Sequence, residues 1–201
     1  MKTIKASRKN SVINFNDFNL KEFLRENGIN NENDLLRYLK ENEFDWGVLD
    51  ENWDKITDRL IYRKMWRLKN IQQIFKDKIG ICWEFANLEK IIFDELKMKS
   101  YMYWIVFDND IDENPFHSFT LIERGDKFIL FEFSFTKYAW IYELENINDV
   151  FELQFSWRFE NHAHLKNKNV TIYRYDSIFP INADRNNLFN LTRSQEIVYR
   201  R

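Results

Sequence analysis

Apolar residues recur every three or four positions through the first half of the chain and about every second position after it, so the sequence divides by period. From Asn16 to Asn27, Phe18, Phe23 and Leu24 fall near one face of a short helix, with Gly28 where a C-cap belongs. A second helix is predicted from about Asn33, a capping type, through Leu35, Leu36 and Leu39 to Asn42. Between Trp53 and Lys78 the series Ile56, Leu60, Ile61, Met65, Leu68, Ile71, Ile74 and Phe75 predicts one or two amphipathic helices. Beyond Gly80, Phe85, Leu88, Ile92 and Leu96 form a stripe flanked by Ala86, Ile91 and Phe93. A helix this apolar, opening near Cys82, belongs in the centre of the fold.

After Ser100 the texture becomes aromatic and β-branched. Tyr101 to Phe107, His117 to Glu123 and Lys127 to Phe135 read as strands, with a polar turn over Asp108 to Pro115 and another at Arg124-Gly125-Asp126. The aromatic run to Tyr142 either lengthens the third strand or makes another, and Phe151 to Phe159 and Val170 to Tyr175 complete the set. Helices followed by a mainly antiparallel sheet make an α+β plan.

Composition narrows the function. The chain has 30 Lys+Arg against 32 Asp+Glu, a formal charge of -2 that leaves no cation excess for phosphates and argues against nucleic acid. No apolar run approaches the ~20 residues of a membrane span, and the stretch from Phe128 to Phe135 is interrupted by Glu132 and Ser134. A single cysteine and a start without an apolar signal region point to the cytoplasm. Lys2, Lys5, Arg8 and Lys9 read as a solvated basic end.

Cys82 stands in the first turn of the central helix, where free N–H groups and the helix dipole favour a thiolate, and its own N–H is placed to donate to an oxyanion. A two-residue type II′ loop at Gly125-Asp126 would pair Arg124 with Lys127, Phe119 with Glu132 and His117 with Ser134. His117 and Glu132 then become diagonal neighbours on one face, within side-chain reach. A loop one residue longer would turn Phe131 or Phe133 to that face instead. A carboxylate between Phe131 and Phe133 is costly unless a partner such as His117 satisfies it.

Gly80-Ile81-Cys82-Trp83-Glu84, His117-Ser118-Phe119 and Phe131-Glu132-Phe133-Ser134 resemble, in order and spacing, the Cys, His and acid blocks of bacterial transglutaminase-like proteins of the papain-like cysteine-peptidase superfamily. Leu35-Leu36-Arg37-Tyr38-Leu39 and the helix before Gly80 resemble that family's N-terminal half. Glu132 stands where the superfamily more often has Asp or Asn, and Phe119 where many members have Trp. The resemblance implies one papain-like, transglutaminase-like α+β domain over residues 1–201, with a mostly helical half at about 17–80 and the catalytic helix and sheet at 81–201. It implies acyl transfer through a thioester on a peptide or protein amide. In that chemistry Cys82 is the nucleophile, His117 the base and then the acid, and Glu132 the group that fixes the imidazole. Water or an amine takes the acyl group, and neither metal nor nucleotide is required. Gln72, Gln73 and Trp66 are candidates for a second oxyanion donor.

Other readings stand beside this one. A catalytically idle member would use the same cleft to bind a peptide or protein, and a plain structural protein would never bring the three residues together. His162-Ala163-His164 with Glu160 has the types of a metal site but lacks a completing cluster, so solvated loop histidines are the simpler reading. Tyr101, Tyr103, Trp104, Phe107, Phe131, Phe133 and Phe135 serve either as packing or as walls of an acyl pocket, and Trp83 either shields a thioester or anchors its helix.

Overall fold

The computed structural model describes residues 18–58, 61, 64, 66–107 and 116–201. Helix α1 (Leu20–Glu26) starts where Asn19 Oδ1 accepts the Glu22 N–H at 3.2 Å, and the chain leaves it through Gly28 at φ +64°. Helix α2 (Glu32–Glu41) is capped by Asn31, two residues before the expected cap, with Asn31 Oδ1 accepting the Asp34 N–H at 3.0 Å. Asn16, Leu60, Met65, the turn over 108–115 and the basic end lie outside the described residues.

The helical expectation between Trp53 and Lys78 holds at Ile61, Lys64 and Ile71–Asp77 and fails over 53–58 and 66–70. Lys55–Ile56 instead pairs antiparallel with Val48–Leu49, and helix α3 covers only Ile71–Asp77. Tertiary partners claim the backbone before it: Leu68 N–H donates to Ala183 O, Asn182 N–H donates to Leu68 O, and Lys69 N–H donates to Glu84 Oε1. With those groups engaged elsewhere, Asn70 starts the helix by accepting the Gln73 N–H at 2.7 Å.

Helix α4 (Cys82–Glu95) is buried on nearly every side. Phe85, Leu88, Ile92 and Phe93 join Leu35, Leu39, Phe75 and Phe131 in one core, while Trp83 and Ala86 join Trp104, Tyr173 and Phe189 in another. Trp83 lies 5.1 Å from Trp66, 5.1 Å from Trp104 and 4.8 Å from Phe116 by ring centroid, and so anchors the helix.

Six antiparallel strands form the main sheet: β1 (Ser100–Phe107), β2 (His117–Arg124), β3 (Lys127–Glu132), β4 (Trp140–Leu144), β5 (Val170–Tyr175) and β6 (Glu196–Arg200). Their spatial order is β6-β5-β1-β2-β3-β4. Gly125, at φ +64°, makes the β2–β3 loop two residues long, and Arg124 pairs with Lys127 and Thr120 with Phe131, the register expected from the sequence. The third strand stops at Glu132 rather than Phe135, and the aromatic run beyond it becomes β4.

Phe151 to Phe159 is not a strand. It lies within helix α5 (Ile147–Asn161), capped by Asn146, whose side chain accepts the Asp149 N–H at 3.0 Å. Phe151 and Phe155 pack on Tyr103, Phe119 and Leu130, so α5 covers the sheet face opposite α4. Helix α6 (Arg185–Arg193) and strand β6, which pairs with β5, were not anticipated. The result is an α+β architecture with helices on both faces of an antiparallel sheet. No helix among the described residues is long and apolar enough to cross a membrane.

Candidate active site

The turn that presents Cys82 is built locally and held from outside. Gly80 is paired with Trp46 in a short parallel bridge, and Gly47 N–H donates to Gly80 O at 2.9 Å. Glu84, in the first turn of α4, reaches back so that its Oε2 accepts the Ile81 N–H at 2.9 Å, while its Oε1 accepts from Lys69 N at 3.3 Å. A Cβ on Gly80 would stand 3.2 Å from Glu84 Cβ and 3.3 Å from its Oε2, so glycine permits that close approach.

His117 opens β2 and Glu132 closes β3. His117 Nε2 lies 2.7 Å from Glu132 Oε2, with the pair 4% and 1% exposed. Gln154 Nε2 of α5 donates to the same Oε2 at 3.1 Å. On the other oxygen, Ser134 Oγ donates to Oε1 at 3.2 Å and Phe135 N–H at 2.9 Å. Burial opposes ionisation of Glu132, but His117, the Phe135 N–H and the Arg158 charge outweigh it and hold its carboxyl below the ordinary value. Burial, and then Arg158, lower His117 despite Glu132. The consistent arrangement is a carboxylate facing a neutral imidazole that donates its Nε2–H, which leaves Nδ1 as an acceptor.

Cys82, His117, Ser134, Phe135, Arg158 and His162, together with Trp46, Ile81, Phe116 and Thr136, line one cleft of ≈ 340 Å³. The cleft opens at the end of the sheet where β2 begins and β3 stops. His117 and Glu132 project on the α5 face, as the 6.3 Å stacking of His117 on Phe119 and the Gln154 contact require, whereas Cys82 arrives with α4 from the other face. The groups therefore meet around the sheet end. The sulfur has no hydrogen bond to the imidazole among the described residues; the N–H groups of Ser118 and Trp83 act on it by favouring its charged form. Catalytic contacts of this kind commonly tighten only around a substrate.

Burial pushes the Cys82 thiol up, although Ser118 N–H, the Arg158 charge and Trp83 N–H all pull the other way. The expectation of a resting thiolate from the helix N-terminus is corrected here: at 8% exposure, loss of solvation exceeds what the helix end supplies. The same tertiary setting exposes a residue that the strand reading of Phe151 to Phe159 hid. Arg158 is 7% exposed, its guanidinium sits 4.1 Å from the Phe135 ring centroid, and its Nε and Nη2 have no partner. Burial lowers it to about 10. The four-residue spacing of Gln154, Arg158 and His162 puts them on one side only once packing has made the segment a helix.

The other candidates fall elsewhere. Gln73 Nε2 bonds Asp77 Oδ1 at 2.6 Å, Trp66 is buried against Trp83, and neither they nor Gln72 line the cleft. Of the aromatic strand residues only Phe135 reaches it. His162, in the break between α5 and the 3-10 turn Ala163–Asn167, also lines the cleft, with its ring 5.9 Å from that of the exposed His164. Glu160 is engaged by Lys137 and Tyr138, and among the described residues no group of three or more His, Cys, Asp or Glu could hold a metal. A larger cavity of ≈ 600 Å³ beside α2 and β4 holds no His or Cys, and two of its charges, Glu32 and Arg124, pair at 2.8 Å. No protein-family model matches the chain, and no curated protein matches it by sequence.

Proposed function

We propose that the protein is a cysteine-dependent amide hydrolase or acyltransferase of the transglutaminase-like, papain-like kind, acting on a peptide or protein amide. The single observation that carries this reading is the 2.7 Å His117–Glu132 contact at the wall of the cleft that also receives Cys82. The order of a Cys-bearing helix followed by His and acid on adjacent antiparallel strands supports it.

Because the resting thiol is neutral, the first step is proton transfer coupled to attack. His117 Nδ1 takes the thiol proton as Sγ bonds to the amide carbon, and the developing imidazolium is stabilised by Glu132 across Nε2–H. The N–H of Cys82 is placed to donate to the oxyanion. His117 then returns the proton to the leaving amine, and a thioester remains on Cys82 until water or a second amine takes the acyl group. This chemistry calls for no metal or nucleotide. We place the protein in the cytoplasm, where a lone thiol stays reduced.

p-Nitrophenyl acetate tests this without a natural substrate. Wild-type protein is expected to give a burst of nitrophenolate and an acetyl mass on Cys82, with the rate falling at least ~100-fold in His117→Ala. The raised thiol and the missing sulfur–imidazole bond favour a second reading, a catalytically idle cleft that binds a peptide or protein. An unacylated Cys82, or acylation indifferent to His117→Ala, would select it.

A further inference from the structure

The cleft contains a charge that the acyl-transfer mechanism does not use. Arg158 is buried, yet no acidic side chain among the described residues comes within ion-pair distance of it. The nearby Glu132 acts on it only through space, because both Glu132 oxygens are taken by His117, Gln154, Ser134 and Phe135. Nε and Nη2 form one edge of the planar guanidinium, the edge that matches two carboxylate oxygens, and both are unpartnered. A buried charged donor without an acceptor is costly, and folds normally avoid it. The Phe135 ring 4.1 Å away holds the plane in a defined orientation. The described cleft wall carries Arg158, His117 and His162 but neither Asp nor Glu.

We propose that Arg158 is an anion-recognition subsite and that the acyl donor bears a carboxylate close to the amide that Cys82 attacks. The assignment rests on the acyl-transfer reading for the identity of the ligand as substrate. It narrows the substrate class from any amide to one with an acidic side chain or a free α-carboxylate beside the reacting carbonyl. The unpartnered edge is shielded from bulk water, so engaging the acid requires the guanidinium to turn toward the open side of the cleft.

Two alkylating probes test it on the full chain. Iodoacetate carries a carboxylate on the carbon that the sulfur attacks, and iodoacetamide carries a neutral amide there. In both, the S–C bond forms, iodide leaves and the thiol proton passes to His117 or solvent. The ratio of the two rate constants at Cys82 is expected to exceed that for free N-acetylcysteine about tenfold or more. It should fall to the free-thiol ratio in Arg158→Gln and be partly kept in Arg158→Lys. A wild-type ratio equal to the free thiol's, or one unmoved by Arg158→Gln, overturns the proposal.

Should Arg158→Gln fail to fold, wild-type protein decides. N-acetylalanine, with an α-carboxylate, and N-acetylglutamic acid α-amide, with a side-chain carboxylate, should slow iodoacetamide saturably, and the better protector names the source of the acid. No excess protection over neutral N-acetylalanine amide overturns the subsite. Failure of the acyl-transfer reading shows separately, as iodoacetamide alkylation that ignores His117→Ala, and leaves the iodoacetate ratio readable.

Discussion

Replacing Glu132 by Gln changes one atom and charge while nearly preserving shape, and the structure sets its consequences. The carboxylate accepts from His117 and Gln154 on Oε2 and from Ser134 and Phe135 on Oε1. A glutamine can keep the second pair with its carbonyl oxygen, but its NH₂ group then faces two donors. Gln154 can answer by turning its amide over, since its Oε1 has no partner in the wild type. His117 can answer only by exchanging tautomers, which places hydrogen on Nδ1 and removes the lone pair that would take the thiol proton. Bonds to a charged acceptor are worth about 1.5–3 kcal/mol each, so after the Gln154 recovery the net loss is about 2–4 kcal/mol. For a chain of 201 residues that lowers Tm by roughly 5–15 °C. The acylation burst should fall about 10³–10⁴-fold, the scale of a wrong-tautomer histidine.

The pH dependence adds a signature. A carboxyl depressed in the folded state stabilises above its ordinary value, and that stability is lost as pH falls through the folded value. The Tm gap between wild type and Glu132→Gln should therefore be full at pH 7 and close in the acid limb below about pH 4. Melting followed by circular dichroism from pH 3 to 8, alongside the burst assay, reads both effects. A variant that melts earlier yet acylates within twofold of wild type would refute the orienting role and leave Glu132 purely structural.

Two further outcomes test the frame around the site. In Gly80→Ala the new Cβ presses on Glu84, and stability should drop by about 1–2 kcal/mol in urea unfolding, with a slower burst because the Cys82 turn shifts; an unchanged burst would show that the turn tolerates the strain. Glu89, buried on α4, is pushed well above its usual range, first by loss of solvation and then by the Glu132 charge. A raised carboxyl stabilises below its unfolded value and loses that contribution as pH rises through the folded value, so Glu89→Gln should gain on wild type between about pH 4 and neutrality, and a pH-independent difference in urea midpoint would contradict this.

Local chemistry carried a good part of this fold. Gly125 fixed a two-residue loop, the loop fixed the register, and the register put His117 and Glu132 on one face. Gly80 and an apolar stripe marked the start of α4 at Cys82. These features depend on a few adjacent residues, so the order of letters suffices. Phe151-Glu152-Leu153-Gln154-Phe155-Ser156-Trp157-Arg158-Phe159 satisfied both an alternating and a helical period, and packing on the sheet chose the helix. The helical reading between Trp53 and Lys78 held at Ile61, Lys64 and Ile71–Asp77 but not over 66–70, where distant partners at Ala183 and Glu84 claimed the backbone of Leu68 and Lys69.

Sequence alone thus determined the central helix, the hairpin register and the pairing of imidazole with acid, because each is set by short-range sterics and side-chain alternation. Only the tertiary structure decided that the thiol is held protonated, that Arg158 enters the cleft and that two sheet faces contribute to one site. Burial and long-range charge depend on which remote segments pack together, and no local pattern records that.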